Sequence, residues 1–564
     1  MKLRILFTTA LLIAISTISI AKEAYAVYTS SDKTLTFYYD NNRNGKSGDV
    51  YDLNESLATP QWITEEKDIV KVKFTPSFAD ARPKSTSYWF YNLKNLTTIE
   101  NIEYLNTSQV VYMRSMFQEC KKLENLELRG FNTSMVESMW GLFSGCQKLK
   151  VLDVSRFNTA QVKDMSYMFS YCNNLQTLDL SKFVTDNVES MEYMFIYCFA
   201  LTSLNLKSFN TSKVTTMEFM FYKCTKLTSL DLSSFNTQKV TNCNYMFQYS
   251  SQLTTIYGGL GWDLSNATSK NNMFSGCTSL VGGEGTAYSD VYDTSVEDDS
   301  QYAHVDGGED YPGFFTKKNY GLQVSGRDVT SMNYNNILGN LSAIYDPSTH
   351  TLTLNGGTFG KTRQAGVYVT EDFDEGYSLN ITVHGKNIMN CDPYYSITSY
   401  RTLWIEGNGS IEGDGIHLEN GNLWLNDCQI NMSSITAKYN SEERQYLWMQ
   451  GKQAKISLTN NILWFDDIFL DDDDGFVFLQ PEYGYYDSED KCVKDNYGQE
   501  AHGVVIASPY GISTGLEALP QDNVQRSKLN VQSNEWYTID GRKLNGKPTQ
   551  KGVYIHNGRI SLTN

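Results

Sequence analysis

Ten cysteines are the first residues of this 564-residue chain with chemistry to offer. Cys120, Cys146, Cys172, Cys198 and Cys224 stand 26 residues apart, Ser250 fills the next slot, and Cys277 follows one residue late. One thiol per interval with no histidine beside it makes no tetrahedral metal cluster. Two readings remain: disulfides between neighbouring intervals, or small buried apolar groups. The Phe and Leu flanking each slot favour inert buried thiols. Four carboxylates, Glu406, Glu412, Asp414 and Asp427, stand where an acid and base pair for glycoside chemistry would need to share one face. Beside Gly and Asn they are equally ordinary turn residues. Asp466, Asp467 and 471–474 with Gly475 offer oxygen ligands for calcium. That run lacks the spacing of a calcium loop and reads as a solvated acidic segment. Neither a nucleophile–base pair nor a glycine-rich phosphate loop stands out, so a non-enzyme without cofactor or metal is expected.

Two sets of residues suit binding. Glu127, Asp153, Asp179, Asn205 and Asp231 each lie between two leucines of a short alternating segment, one per interval. They form either a stripe for a basic partner or an ordinary solvated edge. Trp404, Trp424, Trp448 and Trp464 share a Leu-Trp-apolar setting (with Phe465 completing the last). If the flanking residues point inward, the indoles form an outward row. Such a row is a platform for sugar rings, or it packs beneath other structure.

The elements that must position these residues follow from self-similarity. A Phe precedes each slot by three residues, Phe117, Phe143, Phe169, Phe195, Phe221, Phe247 and Phe274, and a Leu follows by three, Leu123, Leu149, Leu175, Leu201, Leu227, Leu253 and Leu280. An atypical earlier copy uses Phe90, Leu93 and Leu96, giving eight intervals. One unit reads FNTSKVTTMEFMFYKCTKLTSLDLSS, residues 209–234. Its LTSLDL segment alternates as a strand does, and Val214, Met217, Phe221 and Cys224 are spaced for a helical turn or short helix. Neither piece buries its apolar side alone, so a stacked solenoid across 89–317 is predicted, after an N-terminal cap at 27–88.

Beyond Pro312 the composition shifts to short strands broken by Gly, Asn and Asp. Strand starts at Leu379, Leu403, Leu423 and Leu447 recur every 20–24 residues. Residues 318–510 are therefore read as a β-rich domain, a right-handed parallel β-helix with two or three strands per coil. A β-sandwich is the alternative. A polar linker at 511–530 leads to a small β-module at 531–564, with a turn at Asp540-Gly541 and a closing hairpin. At the other end, Lys2 and Arg4 precede an apolar stretch, and Ala24-Tyr25-Ala26 has the small residues of an export cleavage site. A leader of 1–26 is expected, with no later transmembrane segment. The net charge of −17 argues against nucleic acid and anionic membrane surfaces as partners.

The repeat LxxLDLSxFNTxxVxxMxxMFxxCxxL, the leader TLTFYYDNNR at 34–43 and the closing LVGGEGTAY…YAHVDGG…PGFFT across 280–316 resemble the BspA-like leucine-rich-repeat surface proteins of anaerobic Bacteroidetes. The likeness covers roughly half the chain. It implies an adhesin at the cell surface, binding host extracellular-matrix or cell-surface proteins or other bacteria, and implies no catalytic residues. The tail WYTIDGRKLNGKPTQKGVYIHNGRISL at 536–562 is similar to Bacteroidetes sorting or anchoring modules, although shorter. Glycan capture by the tryptophan row is the alternative function, and a polysaccharide-degrading β-helix enzyme the second.

Overall fold

A computed structural model describes residues 21–438, apart from 55, 293–294, 296, 361–364 and 392–393, then segments between 445 and 507 and strands between 536 and 563. The chain divides into two compact units, 1–318 with 330–332, and 319–329 with 333–564. Among the described residues no helix is long and apolar enough to cross a membrane.

The cap opens with the strand Glu23–Thr29, paired antiparallel to Thr34–Asp40 on one side and Asp49–Asp52 on the other. Tyr25 and Ala26 are fully buried there. A cut after Ala26, the expected leader boundary, would remove the first four residues of this strand. Phe37 packs on Trp62, Phe74, Phe78 and Trp89, and the buried Trp62 indole donates to the Trp89 carbonyl at 2.8 Å.

From Ser85 onward one residue per repeat bridges the next in parallel: Tyr112, Ser138, Asp164, Ser190, Thr216, Asn242 and Ser269. The strand side is shorter than its alternation suggests. Thr177–Asp179 pairs with Ser203–Asn205, and Ser229–Asp231 with Thr255–Gly258. The Phe column from Phe117 to Phe274 runs through the core with ring centroids 5.4–5.7 Å apart. The ladder cysteines are buried free thiols. Cys146 donates to the Phe117 carbonyl at 3.2 Å and Cys172 to Phe143 at 3.2 Å, while Ser250 does the same to Phe221 at 2.7 Å.

The helical segment expected across 214–221 is not formed. Among the described residues of the repeats, 84–280, there is no α-helix. Phe219 and Lys223 have φ of 53° and 55°, a left-handed backbone that no α-helix accommodates. The N–H groups of Met217, Phe219, Phe221 and Lys223 instead donate to Asn242, Asn244, Met246 and Gln248 of the next coil at 2.8–3.0 Å. Those of Met220, Tyr222 and Cys224 turn back three residues. A helix would satisfy its N–H groups internally and leave the coils joined by side chains alone. Each left-handed non-glycine residue costs about 1–2 kcal/mol, offset by a backbone ladder between coils.

The ladder must end without orphaned donors. Behind Phe274 the buried Asp299 carboxylate replaces a coil, accepting the Met273 and Phe274 N–H groups at 2.7 and 2.9 Å. The strand Phe315–Lys317 then covers Thr255–Gly258 in parallel.

In the second unit three parallel ladders connect successive coils. Leu379–Met389 pairs with both Leu403–Glu406 and Ser410–Leu418, and the latter with Gln429–Ala437. Leu403–Glu406, Leu423–Asn426 and Tyr446–Gln450 stack in turn. Val367–Val369, Ile397–Ser399 and the end of Ser410–Leu418 form the third ladder. Leu403, Ile405, Ile411, Ile416 and Leu418 all point inward and are fully buried. Antiparallel strands close both ends, Ala343–Asp346 on Thr351–Phe359 and Val504–Ala507 on Lys455–Leu458. The tail pairs Gly552–His556 with Arg559–Thr563 as the expected hairpin. The expected linker and the Asp540-Gly541 turn lie outside the described residues.

Candidate binding surfaces

The strand-side polar residues are in register, with Asp179 opposite Asn205. Their side chains are engaged with their own turns. Asp153 accepts from the Ser155 N–H and hydroxyl at 3.0 and 2.6 Å, which lowers its carboxyl below the usual range. Asp179 accepts the Ser181 N–H at 2.9 Å and Asn205 the Lys207 N–H at 3.3 Å. Asp231 accepts from Ser233 and forms an ion pair with Lys318 at 2.6 Å. Glu127 lies 3.6 Å from Arg129, both well exposed. The stripe exists, and most of its acceptors already serve local turns.

Trp404, Trp424 and Trp448 form the expected row, half-buried and outward, each flanked by inward Leu, Ile or Met. They stack on one another, with centroids 5.0 and 4.7 Å apart and rings within 6° of parallel. Both faces of Trp424 are therefore covered, and a sugar meets ring edges along the middle of the row. Trp464 does not belong to it. Its backbone pairs with Thr436 on another ladder, whereas the position opposite Trp448 is Phe469. The Leu-Trp dipeptide recurs there by composition and not by place in the coil.

The four carboxylates considered for catalysis are dispersed among local partners. Glu412 pairs with Lys386 at 2.7 Å, Asp414 accepts the Cys391 N–H, and Asp427 accepts the Gln453 N–H at 3.0 Å. Glu406 and Asp427 line one shallow depression of about 350 Å³. Of the calcium candidates, Asp467 contributes backbone to the strand Asp467–Leu470, and Asp466 and 471–475 lie outside the described residues. Among the described residues no three acidic, His or Cys side chains gather to hold a metal.

A surface that sequence reading missed lies on the turn side of the solenoid. Left-handed positions recur every 26 residues, and between 167 and 249 aromatic rings occupy most of them. Tyr167, Tyr193, Phe219 and Tyr245 form one column, with centroids 4.5–4.9 Å apart. Arg114 covers Trp140 at 5.1 Å beside its start. In the second column Tyr171 stacks on Tyr197 at 4.7 Å. Lys223, the next residue of that column, places its ammonium 5.3–5.4 Å from the rings of Tyr197, Tyr222 and Tyr249. Tyr171, Phe199 and Tyr249 are 41%, 38% and 45% exposed. Beside the first column Glu192 is raised above the usual carboxylate range, first by burial and then by the charges of Glu218 and Asp164. The signal was available in the sequence, because these rings obey the same 26-residue period as the core.

A family described as "Mycoplasma protein of unknown function, DUF285" matches residues 84–203 and 172–284. No curated protein matches the chain. A leucine-rich repeat protein from Bacteroides ovatus ATCC 8483 is 18% identical over 47% of this chain and 82% of its own, with a TM-score of 0.21. A leucine rich cell surface protein from Faecalibacterium prausnitzii A2-165 is 16% identical over 46% of this chain and 92% of its own, with a TM-score of 0.16.

Proposed function

We propose that the chain is an exported, non-catalytic binding protein of the cell surface, an adhesin whose repeat solenoid captures protein partners. The second unit is, in this reading, a parallel β-helix. The observation that carries the reading is the ring cluster of Tyr171, Tyr197, Phe199, Tyr222 and Tyr249, in which Tyr171, Phe199 and Tyr249 are exposed and Lys223 lies over Tyr197, Tyr222 and Tyr249. Tyrosine and its aromatic relatives contribute large contact area at low entropic cost, and such residues dominate binding hot spots. The rings are anchored on a backbone ladder, so little ordering remains to be done on association. Host extracellular-matrix and cell-surface proteins, or proteins of other bacteria, are the expected partners.

The test is binding of the full chain to immobilised extracellular-matrix glycoproteins and to whole bacterial cells, read by surface plasmon resonance and cell capture. Replacing Tyr171 and Tyr249 together by Ser should weaken the captured partner by about 30-fold, equivalent to about 2 kcal/mol. Thermal unfolding should stay unchanged. Equal binding by the variant would remove this face from the function, and an absence of saturable protein binding would end the adhesin reading.

A further inference from the structure

A cleft in the second unit collects side chains from four consecutive coils at one corner. Ser378, Thr402, Asn422 and Tyr446 each stand immediately before an inward leucine of their coil: Leu379, Leu403, Leu423 and Leu447. Those leucines are in register, one above another. With Tyr377, Arg401 and Asn420 the four residues line a cleft of about 660 Å³ that follows the coil stack. Neighbouring coils are about 4.8 Å apart, close to the length of one hexopyranose unit. We propose that this cleft binds an extended oligosaccharide, one sugar ring for each coil that it crosses.

The lining matches that ligand class. Among the described residues no aliphatic side chain contributes to it, so they form no socket for the apolar anchors of a peptide. Tyr377 is 46% exposed, and its ring is held flat against His350, with centroids 4.3 Å apart. His350 is itself fixed to Asp374 at 2.8 Å, so the Tyr377 ring is preorganised. An amphipathic ring of this kind takes the C–H face of a pyranose. Hydroxyl partners surround it. Asn420 spends its Oδ1 on the Gly421 N–H at 2.7 Å, and Asn422 spends its own on the Tyr446 N–H at 2.8 Å. Each keeps an Nδ2 amide as donor. Thr402 accepts the Asn422 N–H at 3.1 Å, which orients its hydroxyl to donate outward along the rim or into the ligand. Glu375 is an exposed acceptor at the edge.

Charge argues against a phosphate or nucleotide. Among the described residues the one cation of the lining, Arg401, is tied to the carbonyls of Glu371, Phe373 and Tyr400 at 2.7, 3.0 and 3.2 Å. It works as a fixed wall, and Glu375 balances it. Gly421 lets its coil approach the Thr402 backbone closely. Its φ is +89°, and a Cβ there would lie 2.4 Å from the Thr402 nitrogen. The middle of the tryptophan row offers no equivalent platform, because Trp424 is covered on both faces.

The test uses the full chain in titration calorimetry with cellohexaose, chitohexaose and maltohexaose, each to millimolar concentration, beside a peptide array. At least one hexasaccharide should bind. Tyr377→Ala and Asn420→Ala should each weaken it by about tenfold or more. Trp424→Phe should leave it unchanged. Asn420 is exposed, so its variant retains the fold even if loss of the Tyr377 ring disturbs the coil. Binding by no hexasaccharide overturns the proposal. So does binding that both cleft variants retain, or capture of peptides in place of sugars. The inference is independent of the solenoid's role. A chain carrying Tyr171→Ser and Tyr249→Ser should bind the sugar normally, so failure of one reading leaves the other measurable.

Discussion

The Thr185 hydroxyl donates to the Asn210 carbonyl at 2.9 Å and accepts the Asn210 N–H at 2.8 Å, so one side chain satisfies both backbone groups of a residue in the next coil. The same reciprocal pair joins Thr107 to Asn132, Thr133 to Asn158, and Thr211 to Asn236. Thr159 makes it to Val184, which shows that the partner's backbone, not its side chain, is what the threonine reads. The asparagine side chain has a separate task. Asn210 Oδ1 accepts the Ser212 N–H at 3.1 Å and forms the turn. The recurring FNT of the repeat is thus a core ring, a turn former and an intercoil clamp.

Thr185→Val keeps the shape but leaves the Asn210 N–H and carbonyl without their clamp. The expected loss is about 2 kcal/mol, and Thr185→Ser should recover most of it. Urea titration of the two variants followed by far-ultraviolet dichroism gives the comparison. Equal midpoints for Val and Ser would mean that the clamp contributes packing only.

The ladder cysteines should be unreactive. Burial pushes the Cys198 thiol up to about 12, and Cys172 and Cys224 also lie well above the ordinary range. Iodoacetamide should leave them unmodified in the native chain and alkylate them all in denaturant without prior reduction. Mass spectrometry decides, and a rung cysteine that needs reduction before it reacts would reveal a disulfide between coils. Cys172→Ser should be tolerated to within about 1 kcal/mol, because Ser250 already fills this slot with the same hydrogen bond to a Phe carbonyl.

Much of this architecture is legible in the residue pattern, for identifiable reasons. Columns of Phe, Leu and Cys declare a stack, because only register explains one residue type recurring at one spacing. In Leu403-Trp404-Ile405 the alternation tells inside from outside correctly. The backbone of the turn side was hidden. Met217, Phe221 and Cys224 face the core at intervals of three and four, as in a helix, but left-handed residues between them redirect every second N–H to the next coil. Propensity offers no warning, since Tyr193 and Tyr197 are unusual residues to find at φ of 56° and 58°. The cleft before Leu403 and Leu423 was hidden as well, because its residues are ordinary turn formers until three dimensions line them up.

Export through the N-terminal leader should leave Lys22 as the first residue. Ser19 and Ala21 offer small residues at the required separation, as Ala24 and Ala26 do, and only the earlier cut preserves the strand Glu23–Thr29. Intact-mass analysis of the secreted chain reads the cut directly. A mature end at Val27 would mean that Tyr25, with its pairing to Tyr38 and Asp52, is dispensable. A chain made to begin at Val27 should then be as stable as one beginning at Lys22, whereas loss of the buried Tyr25 ring and its strand neighbours predicts a deficit of about 3 kcal/mol or more.

Acid should weaken the end of the solenoid through Asp306. Burial alone would raise this carboxyl, but hydrogen bonds from the Thr286 hydroxyl and N–H at 2.7 and 3.0 Å, and from the N–H groups of Gly308 and Glu284 at 3.0 and 2.9 Å, hold it at about 2. The Gly313 N–H adds a fifth at 3.2 Å. A carboxyl lowered in the folded chain stabilises it above the unfolded value of 3.8, and that contribution disappears as pH falls toward about 2. The shift corresponds to about 2 kcal/mol. In wild type the urea midpoint should therefore decline between about pH 4 and pH 2. Asp306→Asn should start lower at neutral pH and lack this part of the decline, because the amide does not titrate and offers one acceptor oxygen where the carboxylate offers two. Parallel curves for wild type and variant would assign the acid sensitivity to other carboxylates and leave Asp306 as a packing element of the closing turn.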